Sequence, residues 1–286
     1  MGLRHSPVSA KDVGMAGSDQ GPSKGRRIVF RVLAAVTALW LLAAHVFGLL
    51  ELVLMWLPDQ TLSAMFEEDV PNIAAHRTHF VSVGILAWAV VLAIAAQLRR
   101  PERRVAQMLQ LLAITIGAAV VYALSGTAGE WLVEEGTLLL PVALLVLLHP
   151  RARDFWRKPG FDHLLARLAA VAAIPWAVFI VVNGRQQLLN VAGDSHAEME
   201  HWATAALMGI VIVVSAFLGS SDHDGWRLPA WVAAAASVVY GVHSLVFPGL
   251  ASALALVWAV AAIAWGVAFV AAVVRRSRAT KTPAAG

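Results

Sequence analysis

Of the 22 lysine and arginine residues in this 286-residue chain, all but Arg77 and Arg185 fall on one side of a series of apolar segments. Most of the acids and histidines fall on the other. Such asymmetry is what a helical chain threaded repeatedly through a bilayer requires, because basic residues stay on the cytoplasmic side of each short loop. The apolar runs are long enough to cross hydrocarbon about 30 Å thick. Composition agrees. Mean hydropathy is +0.70, and charged residues make up 14% of the chain where a soluble domain carries about 25%.

The sequence predicts an all-α polytopic membrane bundle of eight transmembrane helices, over 29–57, 75–98, 105–126, 129–149, 164–189, 198–219, 228–248 and 251–274. Basic clusters orient them. Arg26, Arg27 and Arg31 precede the first helix, Arg99, Arg100, Arg103 and Arg104 join the second and third, and Arg151, Arg153, Arg157, Lys158 and Arg167 join the fourth and fifth. Arg275, Arg276 and Arg278 close the last. Both termini are thereby expected in the cytoplasm, with the protein in the plasma (inner) membrane and the lipid bilayer as its constant partner. Residues 1–27 and 276–286 read as polar cytoplasmic tails, and 28–150 and 151–275 as two membrane repeats.

Several classes of function are excluded. The chain has no cysteine, which removes disulfides, thiolate metal sites and iron–sulfur clusters. The net charge of +4 resides in loops between spans, not on a basic face, so no nucleic-acid partner is expected. Walker and HExxH patterns are absent.

The fourth span has a clean apolar run only from Thr137 to Leu148. A helix long enough to cross must therefore start near Gly129 and carry Glu130, Glu134 and Glu135 in its outer turns, with a kink at Pro141. The fifth must likewise hold Asn183, Arg185, Gln186 and Gln187 in its outer third.

The halves resemble each other. The second helix opens Asn72-x3-His76-x2-His79-Phe80-x-Ser82, and the sixth Asp194-x3-Glu198-x2-His201-Trp202-x-Thr204. Each sets a polar stripe at i, i+4, i+7 on one helical face. Val120-Val121-Tyr122 in the third matches Val238-Val239-Tyr240 in the seventh, and these are the chain's two tyrosines. Leu33-Ala34-Ala35-Val36 matches Leu168-Ala169-Ala170-Val171 more weakly. Two halves of four helices, each starting inside, make a 4+4 parallel internal repeat.

The expected outer ends gather His45, His76, His79, His196, His201 and His243 with most of the acids. Ionisable groups at membrane depth face a cavity or a partner. His76, His79, Glu198 and His201 are the candidate metal ligands, two from each of two helix faces. Imidazole favours zinc, copper, iron or nickel, and carboxylate extends the range towards manganese. Glu51, Glu134, Glu135, Arg185 and His243 are the candidate counter-charges or proton relay. The cofactor is then a divalent metal or, with two imidazoles as axial ligands, haem. The expected function is binding or transport of a metal ion or metal-bearing group. The alternatives are acid–base chemistry on a lipid or isoprenoid and a non-catalytic partner subunit whose polar stripes only pack helices. His45 alone on an apolar helix reads as packing, and Asp222, His223 and Asp224 as a solvated loop. His196 and Glu200 read as loop residues. In its eight helices, 4+4 repeat and helix-borne histidines the chain resembles haem A synthases, but its fourth and eighth helices carry no interior histidine, so no residue role is carried over.

Overall fold

In a computed structural model, residues 23–67, 73, 74, 76–124, 138–189 and 195–279 are described. They form eleven α-helices and no strand. Residues 29–57 do not make one helix. The first span divides into α1 (Lys24–Ala44) and α2 (Val46–Leu54) at His45, whose φ of −112° and ψ of 23° leave the helical region. A short α3 (Asp59–Phe66) follows, then α4 (Arg77–Leu98), α5 (Val105–Leu124), α6 (Leu139–Leu148) and α7 (His163–Leu189). The rest is α8 (Ser195–Glu198), α9 (His201–Ser220), α10 (Arg227–Val246) and α11 (Leu256–Ala279).

Seven of these helices, α1, α4, α5, α7, α9, α10 and α11, are long and apolar enough to cross a membrane. The chain is thus a multi-pass helical membrane protein. Of the fourth expected span, 129–149, only the part from residue 138 on, with α6, lies within the described residues. Glu130, Glu134 and Glu135 lie outside them, as do Asn72 and Asp194. Pro141 falls in the first turn of α6, not mid-helix, so the expected kink is not observed there. A first-turn N–H has no helical partner to lose. The last helix runs to Ala279, past the boundary expected at 275, and α1 begins before the one expected at 27.

Burial divides the helices into centre and rim. In α9 the apolar window is 72% buried, and in α7 it is 22% buried. The centre is α9 because small residues, Ala203, Ala205, Ala206, Gly209, Ala216 and Gly219, let neighbours approach on all sides. At Gly219 a Cβ would sit 2.6 Å from the Ala230 Cα, so α9 and α10 touch through their backbones. At Gly84 a Cβ would sit 2.9 Å from the Leu52 backbone nitrogen, which is how α2 lies flat on α4.

Among 23–148, α1 packs on α4 and α6, and α5 on α4 and α6. Among 163–279, α7 packs on α9 and α11, and α10 on α9 and α11. The two groups join where α4 and α5 meet α9 and α10. Polar contacts cross this seam. Gln110 Nε2 donates to Ser215 Oγ at 2.8 Å, Tyr122 Oη lies 3.4 Å from Thr204 Oγ1, and His243 Nε2 lies 3.3 Å from Thr78 Oγ1.

The basic end is tied together rather than merely solvated. Arg157 makes a two-pronged contact with Asp222, Nη1 to Oδ2 at 3.1 Å and Nη2 to Oδ1 at 2.8 Å. This guanidinium holds the Asp222 carboxyl below the usual carboxylate range. Arg151 pairs with Asp224 and Asp154. Arg276 donates to the Ser221 carbonyl at 2.8 Å and lies over the Trp226 ring. The loop 222–224 thus pins the chain between α6 and α7, where the sequence suggested free solvation.

His149, at the end of α6, is fully buried. Its Nδ1 accepts from the Arg151 backbone N–H at 3.1 Å, and its ring abuts Phe30 and Phe155. Burial pushes its pKa down to about 4. Between pH 6.5 and 4 the unfolded chain therefore binds a proton here that the folded chain does not, and stability falls as pH falls. Unfolding midpoints in detergent should drop across that window, and His149→Gln should flatten the drop. An unchanged slope in the variant assigns the effect to other groups.

Candidate histidine site

At the end of the bundle opposite the basic loops, four histidines from three segments meet. His76 precedes α4 and its backbone carbonyl accepts the Phe80 N–H at 3.1 Å. His79 lies in the first turn of α4, His196 on α8, and His201 is the first residue of α9. The His79 and His201 rings stack with centroids 4.1 Å apart and planes 28° apart. His76 meets His201 edge-on at 4.7 Å. His196 stands edge-on to His201 at 5.5 Å and to His76 at 6.4 Å. His76 and His201 are buried. No hydrogen-bond partner for Nδ1 of His79 or of His201 occurs among the described residues.

Three of the four residues proposed as ligands from sequence, His76, His79 and His201, are thus brought together. Glu198 is not. It is exposed at the end of α8, because Glu200 adopts a left-handed backbone with φ of 57°. That one residue breaks the helix expected over 198–219 and with it the i, i+3 register of Glu198 and His201. The same break turns His196 into the cluster, and Glu200 lines the cavity beside it. Sequence reasoning set both aside as loop residues. The signal that could have found them is the spacing of three polar side chains, His196, Glu198 and Glu200, which suits no single helical face.

The local fold that holds this junction is a helix N-terminus capped from a neighbour. Gln187 on α7 is 2% exposed. Its Oε1 accepts the Ala203 N–H at 3.2 Å, and its Nε2 donates to the Ala197 carbonyl at 2.8 Å. One amide thereby satisfies an orphan donor of α9 and gives a second donor to the Ala197 carbonyl of α8, which also accepts the Glu200 N–H at 3.1 Å. Arg185 and Gln186, on the opposite side of α7, are exposed, and Arg185 stays away from the cluster. Asn183 is buried and accepts from Ser252 Oγ at 2.6 Å.

A cavity of about 340 Å³ opens next to the histidines. His79, Glu51, His45 and Glu200 line it, with Tyr122 and Thr204 between them and apolar walls from α1, α4 and α5. Glu51 thus lies in the cavity wall. His45, read as a packing residue, contacts Trp40 edge-on but also faces this cavity from the break between α1 and α2. His243 does not face it. It is fully buried on α10, with Nε2 3.3 Å from Thr78 Oγ1 on the far side of α4. Arg77, the other exceptional base, is buried and works structurally. It donates to the carbonyls of Met55 and Leu57 at the end of α2, pairs with Asp59, and covers the Phe247 ring at 4.5 Å.

Among the described residues, no three His, Asp or Glu side chains hold their donor atoms at metal-ligating positions. The ring spacings are nonetheless informative. Metal–nitrogen bonds of about 2.0–2.1 Å and a ring radius of about 1.1 Å put two imidazoles on one tetrahedral ion with centroids roughly 5 Å apart. The contacts of His201 with His76 and His196 bracket that value. Imidazoles on opposite faces of a haem would need about 6 Å and parallel access to the iron, and the stacked His79–His201 pair leaves no room for a macrocycle between its rings.

Removing the Gln187 amide leaves the buried Ala203 N–H without a partner, costing about 1–3 kcal/mol, and takes one of two donors from the Ala197 carbonyl. Gln187→Leu should lower the unfolding midpoint in detergent clearly, whereas Gln186→Leu, one residue away and exposed, should change stability by less than about 0.5 kcal/mol. Equal effects would show that the cap does not hold the junction. No family model matches this chain, and no curated protein or solved structure matches it.

Proposed function

We propose that this protein is a plasma-membrane protein with both termini in the cytoplasm, and that it binds a divalent transition-metal ion, free or carried in a small group, at its outer face. The ligands are His76, His196 and His201, with His79 stacked behind them. The observation that carries this reading is the convergence of four imidazoles from three segments within ring spacings of 4.1–6.4 Å. Histidine is the commonest metal ligand, and in the absence of thiolates an all-imidazole set selects zinc, copper, nickel or iron. Helix-packing histidines need one partner each, and a mutual cluster of four exceeds that need.

The eight-span, 4+4 parallel arrangement belongs to the same proposal. The matched neighbour pattern of the two halves supports it, as does the Tyr122–Thr204 contact across the seam. In that arrangement His79 and His201 are equivalent and stack on the axis. The basic end, with its arginine-rich loops, supports the orientation. Glu51 and Glu200 then serve as counter-charge beside the ion.

Chelator-free protein purified in detergent should bind one equivalent of Zn²⁺ or Co²⁺ per chain, with a cobalt visible spectrum characteristic of nitrogen ligation. His79→Ala/His201→Ala should abolish it, and Glu198→Gln should retain it. Protein that takes up no metal, or a double variant that binds as the parent does, overturns the reading.

A further inference from the structure

The cavity beside the histidines lies mainly against α1, α4 and α5 of the first half, with Met199, Glu200, Thr204 and Leu207 of the second closing it. Comparison of the two halves rests on the repeat register above, in which Leu33 matches Leu168, so that Leu41 corresponds to Trp176 and Ala44 to Phe179. Tyr122 corresponds to Tyr240. In the second half, Trp176, Phe179 and Tyr240 pack edge-on against one another, with centroids 5.3, 5.6 and 6.1 Å apart. They fill the space between α7, α9 and α10. In the first half the isobutyl group of Leu41 stands where the second has an indole, and it lines the cavity of about 340 Å³. The first helix is also broken at His45, whereas α7 runs unbroken through the corresponding Ile180.

The walls of this cavity are graded. Towards the membrane middle they are apolar, from Leu41, Val90, Val91 and Ile114. Thr115, at the same depth, spends its hydroxyl on the Leu111 carbonyl at 2.9 Å. Towards the histidine end they carry two carboxylates, Glu51 and Glu200, and two imidazoles, His45 and His79, with no lysine or arginine among the lining residues. Glu51 Oε2 is buried with no hydrogen-bond partner among the described residues. Buried carboxyl oxygens carry a desolvation cost until a donor meets them. The volume is of the size that small-molecule pockets have, about 300–1,000 Å³.

We propose that this cavity binds a single-chain amphiphile with a cationic or hydrogen-bond-donating head, such as a primary amine. Its chain lies between α1, α4 and α5, and its head lies at Glu51 and Glu200. The second half cannot bind one, because its aromatic residues occupy the equivalent space. The site adjoins the metal site, and His79, Glu51 and Glu200 face both. The two are separated in the test through Leu41, which lines only the cavity.

The test uses the full chain in phosphatidylcholine nanodiscs and a twelve-carbon primary amine carrying a terminal diazirine, beside the matched carboxylic acid. After irradiation, peptide mapping should place the amine's label on the cavity walls of α1, α4 or α5 several-fold more strongly than the acid's. Leu41→Trp, which copies the second half's own plug, should remove that labelling. Glu51→Gln, which changes no volume, should equalise amine and acid and so tests the head site without relying on a bulky variant. Label confined to the lipid-facing sides of α7 and α11, equal labelling by both probes in the parent, or amine labelling that survives both variants overturns the proposal. Metal content measured on the same Leu41→Trp sample separates the two readings: retained metal with lost labelling marks two sites, while labelling without metal in the parent refutes the metal reading alone.

Discussion

The contact between α9 and its neighbours is what the rest of this structure hangs on. No water is available in hydrocarbon to satisfy a polar group, so each polar side chain along a span must find its partner within the protein. Small residues along α9 bring α4, α5, α7 and α10 close enough for this. Gln110 can then reach Ser215, and Tyr122 can reach Thr204. Dispersion contacts and these hydrogen bonds, not hydrophobic exclusion, hold helices together inside a bilayer. Where the seam of α4 and α9 emerges at the histidine end, it delivers His79 and His201 face to face. The site is thus a consequence of the central packing, and Gln187 from α7 fixes the junction that aims His196 and His201.

The two halves solve the same packing problem differently. One fills its interior with Trp176, Phe179 and Tyr240. The other leaves space and lines its histidine end with Glu51 and Glu200. Dense packing is the ordinary state of a protein interior, so retained space beside four histidines and two carboxylates is where chemistry is expected. The break at His45 fits this asymmetry, since it lets α2 turn onto α4 and place Glu51 in the wall. Arg77 then secures the end of α2, so a base that topology rules leave unexplained proves to be a brace.

Much of this was legible in the sequence. Helical periodicity put His76 and His79 on one face, and the match of His79 with His201 anticipated that they would meet. The apolar runs marked six of the spans to within about five residues, while the first, expected over 29–57, ends at Ala44. What periodicity could not reveal was a single left-handed residue. Glu200 carries no glycine or asparagine signal, yet its φ of 57° removes Glu198 from the cluster and brings in His196. The break at His45 was hidden for a similar reason, as nothing in Ala43-Ala44-His45-Val46 disfavours a helix. The pairing of Arg157 with Asp222 joins residues far apart in sequence, and spacing along one chain carries no record of it.

The sequence by itself determined the class of fold and the location of its polar chemistry. Length, hydropathy and charge asymmetry are summed properties, and a bilayer reads them segment by segment with little regard for detail. Only the tertiary structure decided which histidines share a site, that Glu200 and not Glu198 stands beside them, and that a cavity lies against one half while the other is filled. Those outcomes depend on the close packing of distant side chains and on backbone angles at one or two residues, where differences of a few kcal/mol select among arrangements that the same hydrophobic pattern permits.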